Sequence, residues 1–206
     1  TTEIREAYQK HITAMFELTG SSPAEATAKA AHALNIETRI AQASFSGVEQ
    51  RDPHANYHKM TLKELEKEIP GIDWEEYFRT LGVKAYKELS ISQIEPIKEV
   101  ASILNTVPLA EQIDYLQWTL IDRAASSLDD TFDTKDFDFY GRVLSGKKEK
   151  APRWKSAVST VNGLMGEAVG QIYVDKYFPA EAKDRMVKLV RNLQREFGHR
   201  IENLDW

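Results

Sequence analysis

RWKSAVSTVNGLMGEAVGQIYVDKYFPAEAK, residues 153–183, is the stretch whose period decides the fold class. Its apolar positions Trp154, Val158, Val161, Met165, Ala168 and Ile172 step by fours and threes. That spacing keeps side chains on one stripe of a helix rather than on the alternating faces of a strand. Gly163, Gly166 and Gly170 ride on the same helix, and each is expected to cost roughly 1 kcal/mol against alanine in a helix interior. Something must offset that loss. Close packing of another backbone is the plainer explanation, and a face turned to substrate is the other.

The same period recurs upstream. Ile4, Tyr8, Ile12, Met15 and Phe16 predict a first helix ended by Gly20, and Ser22-Pro23 with Glu25 form the start signal of a second, alanine-rich one. GVEQRDPHANYHK, residues 47–59, breaks the period and reads as loop. Thr61 with Glu64, and Asp73 with Glu76, start two short helices, the second closed by Gly82. Residues 83–91 stay open between helix and extended chain. Ser92 with Glu95 is expected to cap a helix facing inward through Ile97, Val100, Ile103 and Leu104, until Pro108 interrupts it.

Leu109, Ile113, Leu116, Leu120 and Ala124 mark the next helix, and Phe137, Tyr140, Val143 and Leu144 a short amphipathic segment stopped by Ser145-Gly146. After Pro179 the stripe Ala182, Met186, Leu189, Leu193, Phe197, Ile201 and Leu204 runs on toward Trp206. No strand alternation longer than a few residues appears. The expected fold is therefore all-α, about eight helices in a single irregular bundle over residues 1–206.

Composition narrows the function. A net charge of −5 argues against a nucleic-acid surface, since the one cationic run is the short Lys147-Lys148-Glu149-Lys150. With no cysteine there is no thiolate nucleophile and no cysteine-based zinc site. No stretch approaches the roughly 20 apolar residues that span a bilayer. A chain beginning Thr1-Thr2-Glu3 reads as a processed form or an excised piece.

His54 and His58 are spaced like the two ligands of a helical HExxH, but Ala55 stands where the general-base glutamate belongs and Pro53 places them in a loop. His11, His32 and His199 stand alone as surface or boundary residues. Glu25, Glu64, Glu76 and Glu95 read as capping partners. Asp129, Asp130, Asp133 and Asp136 form an acidic turn without the glycine and terminal glutamate of a calcium loop. Glu167 interrupts the glycine-rich helix, either exposed or paired with a base such as Arg153 or Arg185. Trp74, Trp118, Trp154 and Trp206 are spread one per segment, a core pattern rather than a ligand platform. No residue of this chain is assigned as catalytic, cofactor-binding or metal-ligating.

Several phrases in order carry a resemblance. YQKHITAMFELTG at 8–20, Arg51-Asp52-Pro53 followed by Tyr57-His58-Lys59-Met60-Thr61-Leu62, Arg153-Trp154-Lys155, GEAVGQIYV at 166–174 and Arg200-Ile201-Glu202-Asn203-Leu204-Asp205-Trp206 together resemble the middle of a neprilysin-family zinc metallopeptidase. The likeness covers essentially the whole chain. It implies a part of an enzyme: the helical second domain that closes over a chamber and limits substrate size. The zinc, held by an HExxH and a downstream glutamate, belongs to a catalytic domain elsewhere in the parent chain. None of those motifs is in this sequence.

The resemblance implies an isolated chain that is inactive, in a parent zinc endopeptidase acting on peptides. Its partners are the catalytic domain of the same parent and the peptides enclosed between the domains, with no nucleic acid and no membrane segment here. Ser156 stands where vertebrate relatives carry a cysteine two residues after Arg-Trp, and no cysteine occurs elsewhere, which resembles a bacterial member without disulfides; export is implied by the family resemblance. The rival reading is a free-standing helical binding or scaffold module that has lost the peptidase half.

Overall fold

The computed structural model describes residues 1–83 and 87–205. These divide into two compact units, 1–149 and 150–206. The first is built on α1 (Thr2–Leu18) and α2 (Pro23–Ala43), joined through Gly20, whose φ of +95° is the left-handed turn that lets the chain reverse. Ser22 and Glu25 close a reciprocal capping box at the start of α2, with Pro23 at its first position. Ala26, Ala30 and Ala33 are fully buried, and their small side chains let α2 lie close to Ile12, Met15 and Phe16 of α1. α6 (Leu109–Ala125) completes this core with Trp118 and Ala125. Each fully buried large side chain in it is worth roughly 1.5–3 kcal/mol of apolar burial.

A second core lies farther along. β1 (His58–Met60) pairs antiparallel with β2 (Leu89–Ile91), His58 opposite Ile91 and Met60 opposite Leu89. Met60, Leu89 and Ile91 pack beside Leu65 and Ile69, which follow from α3 (Leu62–Glu68), beside Trp74 at the start of α4 (Trp74–Thr80), and beside Ala101 of α5 (Ile94–Thr106). The indole N–H of Trp74 donates to the Ile69 carbonyl at 2.9 Å. Thr61 with Glu64 makes a second capping box, and Gly82 closes α4 at φ +74°. Ile36 of α2 meets Ile103 and Val107, so α2 touches both regions.

Preceding the hairpin, a 3-10 turn (Glu49–Arg51) is braced by Asn56, besides the bonds between Ser46 and Glu49 and from Gln50 to the Phe45 carbonyl. The Asn56 amide nitrogen donates to the carbonyls of Glu49 at 3.3 Å, Gln50 at 3.2 Å and Asp52 at 2.7 Å. α7 (Asp130–Asp136) follows the acidic turn, Asp129 accepting from the N–H groups of Thr131 and Phe132. The chain then widens into a π-helical segment (Phe137–Leu144).

The all-α class holds, with corrections of detail. The hairpin strands are three residues each, too short for period-2 alternation to register. Of the open stretch 83–91, residues 84–86 lie outside the description and 89–91 are extended. Ser92 does not cap α5. Gln93 is the N-cap residue, and its side-chain oxygen instead accepts from the Phe45 N–H at 2.7 Å. Leu104 of α5 is exposed, and so are Leu109, Ile113, Leu116 and Leu120 of α6, which turns Trp118 inward instead. In the π-helical segment the wider turn buries Phe139 and Gly141 and leaves Val143 and Leu144 outside.

The second unit holds α8 (Arg153–Tyr177) and α9 (Ala180–Glu202), separated by Phe178 and Pro179. Neither helix carries a buried residue among those described. Of the four tryptophans expected in cores, Trp74 and Trp118 are buried, Trp154 is 63% exposed and Trp206 lies outside the description.

Candidate functional site

The glycine-dotted part of α8 is where sequence and structure differ most. An added Cβ at Gly163, Gly166 or Gly170 would meet no atom within 4 Å. The close packing expected at these glycines therefore finds no partner among the described residues. What the glycines flank instead is a bend: Met165 leaves helical geometry at φ −130°, ψ 27°. Glycine on both sides of one non-helical residue lowers the resistance of the backbone to such a break. An open hollow runs from Asn162 to Ala168 along the bend. A second lies between the end of α8 and the start of α9, lined by Gly170, Gln171, Val174, Phe178 and Lys183. Glu167 borders both and is exposed.

The histidine pair weighed as a metal site is taken apart by the fold. His54 sits exposed in the loop, where its N–H is tied to the Asp52 carboxylate at 2.8 Å. His58 lies on β1 with Nδ1 3.0 Å from the Ile91 carbonyl oxygen. Among the described residues no group of three or more His, Asp or Glu stands close enough to hold a metal ion. His32 pairs with Asp114 at 2.8 Å, and His199 is exposed near Glu196.

His11 is not the surface or boundary residue expected from its isolation in the sequence. It is 6% exposed. Its ring stacks on Phe139 at 5.0 Å and 17°, and meets Trp118 and Tyr140 edge-on. Around it, polar bonds join α1, α2 and α6 and tie the π-helical segment to α6. Trp118 donates to Tyr8 and Glu37, Tyr8 donates to Glu37 at 3.0 Å, and Tyr140 donates to Asp122 at 2.8 Å. Burial raises the Tyr8 and Tyr140 phenols and the Glu37 carboxyl above their ordinary values. The signal available in sequence was Tyr8, His11 and Met15 on one helical face; nothing in it pointed to the aromatic partners of His11, 107 to 129 residues away.

The peptidase family M13 model matches residues 1–206. Mouse and human endothelin-converting enzyme 1 are each 26% identical over 181 residues, covering 84% of this chain and 23% of theirs. The zinc metalloprotease Zmp1 of Mycobacterium tuberculosis, solved in an open state, is 35% identical with a TM-score of 0.81, over 99% of this chain and 32% of that one. PepO of Lactobacillus rhamnosis shares the fold at TM-score 0.75 and 18% identity, over 100% of this chain and 32% of that one. The chain thus spans about a quarter of the length of those curated relatives and about a third of the solved ones. It belongs to peptidase family M13, the neprilysin family of metallopeptidases, as a helical portion of such a protein.

Proposed function

We propose that residues 1–206 work as one non-catalytic helical domain of a neprilysin-like zinc endopeptidase, closing over the active-site chamber and restricting substrates to peptides. The match of the family model to the whole chain, together with the fold shared with Zmp1, carries this reading. The described residues do not fit a catalytic zinc, having no cluster of ligands. The metal is therefore assigned to the catalytic domain of the same parent, which is also this domain's partner. A helical lid acts by geometry. It excludes bulk water and large substrates while the chemistry proceeds on groups it does not supply.

The open hollows of α8 and α9 are the surfaces we assign to the chamber side, since they are concave and border the bend at Met165. The parent is read as bacterial because Ser156 stands where vertebrate relatives carry a cysteine, and as exported because of its family. Among the described residues no helix is long and apolar enough to cross a membrane.

The test is direct. The purified 206-residue chain is expected to bind no zinc stoichiometrically and to cleave no peptide. Chelator-sensitive cleavage by this chain alone would overturn the reading. A parent reading frame with no HExxH downstream would favour the free-standing module instead.

A further inference from the structure

The seam between α1 and residues 130–144 is closed by a titratable group with half of its hydrogen-bonding capacity unused. His11 is buried, and its Nε2 has no partner. The two segments it joins are α7 and the π-helical turn, which pack on α1, α7 also reaching α6. The packing at this seam is aromatic, and although an open hollow lined by Ala14, Lys135 and Val143 borders the His11 ring, Nε2 itself is buried. The His11 ring lies flat on Phe139, Tyr8 lies 5.2 Å from the same ring, and Tyr140 closes the edge. Gly141 comes so near Phe137 that no Cβ fits there without moving the ring. A neutral imidazole suits this cage. An imidazolium does not, because it needs two hydrogen-bond acceptors or water and the cage offers neither at Nε2.

We propose that His11 is a proton-operated latch: as the neutral imidazole it holds residues 130–144 against α1, and on taking a proton it releases them. The charged and titratable groups around it come from every neighbouring element. α1 itself contributes Tyr8 and Lys10, α2 contributes Glu37 through Tyr8, α6 contributes Asp122, α7 contributes Lys135 and Asp136, and the π-helical segment contributes Asp138 and Tyr140. Burial is the largest influence and pushes the imidazole down to about 4 from an ordinary 6.5. Asp122, Asp138 and a hydrogen bond to the backbone of Lys135 pull the other way, and the Lys135 charge adds to the lowering.

The sign follows from these directions. Between pH 6.5 and 4 the opened state takes a proton that the closed state refuses. The closed state is therefore fully favoured above pH 6.5 and loses ground as the pH falls toward 4. For a segment whose opening fully exposes the ring, the opening equilibrium rises about twentyfold from pH 7 to pH 5.

Amide hydrogen exchange of the 206-residue chain, corrected for intrinsic rates, tests the latch. In the wild type the open population of residues 130–144 is expected to rise about ten- to thirtyfold from pH 7 to pH 5. In His11→Phe, which keeps a flat ring against Phe139 but has nothing to titrate, that rise should vanish. Equal pH dependence in the two proteins overturns the proposal. If His11→Phe does not fold, His11→Gln takes its place, and NMR titration of His11 in the wild type gives a separate answer. An imidazole that titrates near its ordinary value while 130–144 stays protected also overturns it.

Discussion

The indole N–H of Trp118 donates to the phenol oxygen of Tyr8 at 3.1 Å, tying α6 to α1 through two side chains 110 residues apart in sequence. The same N–H lies 3.2 Å from the Glu37 carboxylate, which Tyr8 also reaches. Tyr8→Phe leaves the indole one acceptor and should lower stability by about 1 kcal/mol. Trp118→Ala empties the centre of the core and should cost about 3–5 kcal/mol. Urea midpoints of the two variants, read at equal m-value, check the order; a Tyr8→Phe effect as large as that of Trp118→Ala would contradict it.

Glu37 gives this network a pH dependence of its own. Burial raises its carboxyl above 4.5, outweighing the hydrogen bonds from Tyr8 and Trp118 that lower it. A raised folded value means that the group's favourable contribution is full below 4.5 and is lost as the pH climbs through the folded value. Glu37→Gln imitates the protonated acid at every pH. The variant should therefore gain on the wild type between pH 4 and pH 7, and a stability difference that shrinks over that range would count against the assignment.

Two serines that look alike in sequence should behave differently. The Ser22 hydroxyl oxygen accepts from the Glu25 N–H while the Ser22 N–H donates back to the Glu25 carboxylate, so Ser22→Ala is expected to cost about 1 kcal/mol. Ser92 precedes a helix whose N-cap is Gln93, without a side-chain cap bond, and Ser92→Ala should stay within about 0.5 kcal/mol. Thermal denaturation of the pair, side by side, is sufficient to compare them.

At Gly166 the surroundings are open and φ is not positive. Gly166→Ala should leave the chain folded and add roughly 0.5–1 kcal/mol by stiffening the unfolded chain. A marked loss of stability would mean that another backbone does press on this face.

What was legible in the sequence was local. The capping boxes at Ser22 and Thr61 each lie within four residues, and both formed. Ser92 and Glu95 made the same pattern, but Gln93 was drawn away to the Phe45 N–H, a partner 48 residues off that no local rule contains. On α6 a count of leucines chose Leu109, Leu116 and Leu120 as the inner face, whereas Trp118 has both the larger ring and the N–H that Tyr8 and Glu37 satisfy, and it turned the helix. His11 was unreadable for the same reason. Its burial depends on Phe139 and Tyr140, and those face it only because residues 137–144 wind more widely than an α-helix. In the candidate site, the glycines were legible as an anomaly of α8, while the bend at Met165 that they flank was not.

One side-chain nitrogen makes three of the bonds that hold the loop before the hairpin. Asn56 offers its amide to three carbonyl oxygens, those of Glu49, Gln50 and Asp52. Exchange of that amide for a carboxylate, as in Asn56→Asp, would leave a side chain of the same shape carrying an anion pointed at three oxygens. Attraction would become repulsion with the change of one atom. The corner at residues 47–57 would lose three bonds at once, keeping those of Ser46 with Glu49, of Gln50 with Phe45 and of Asp52 with His54.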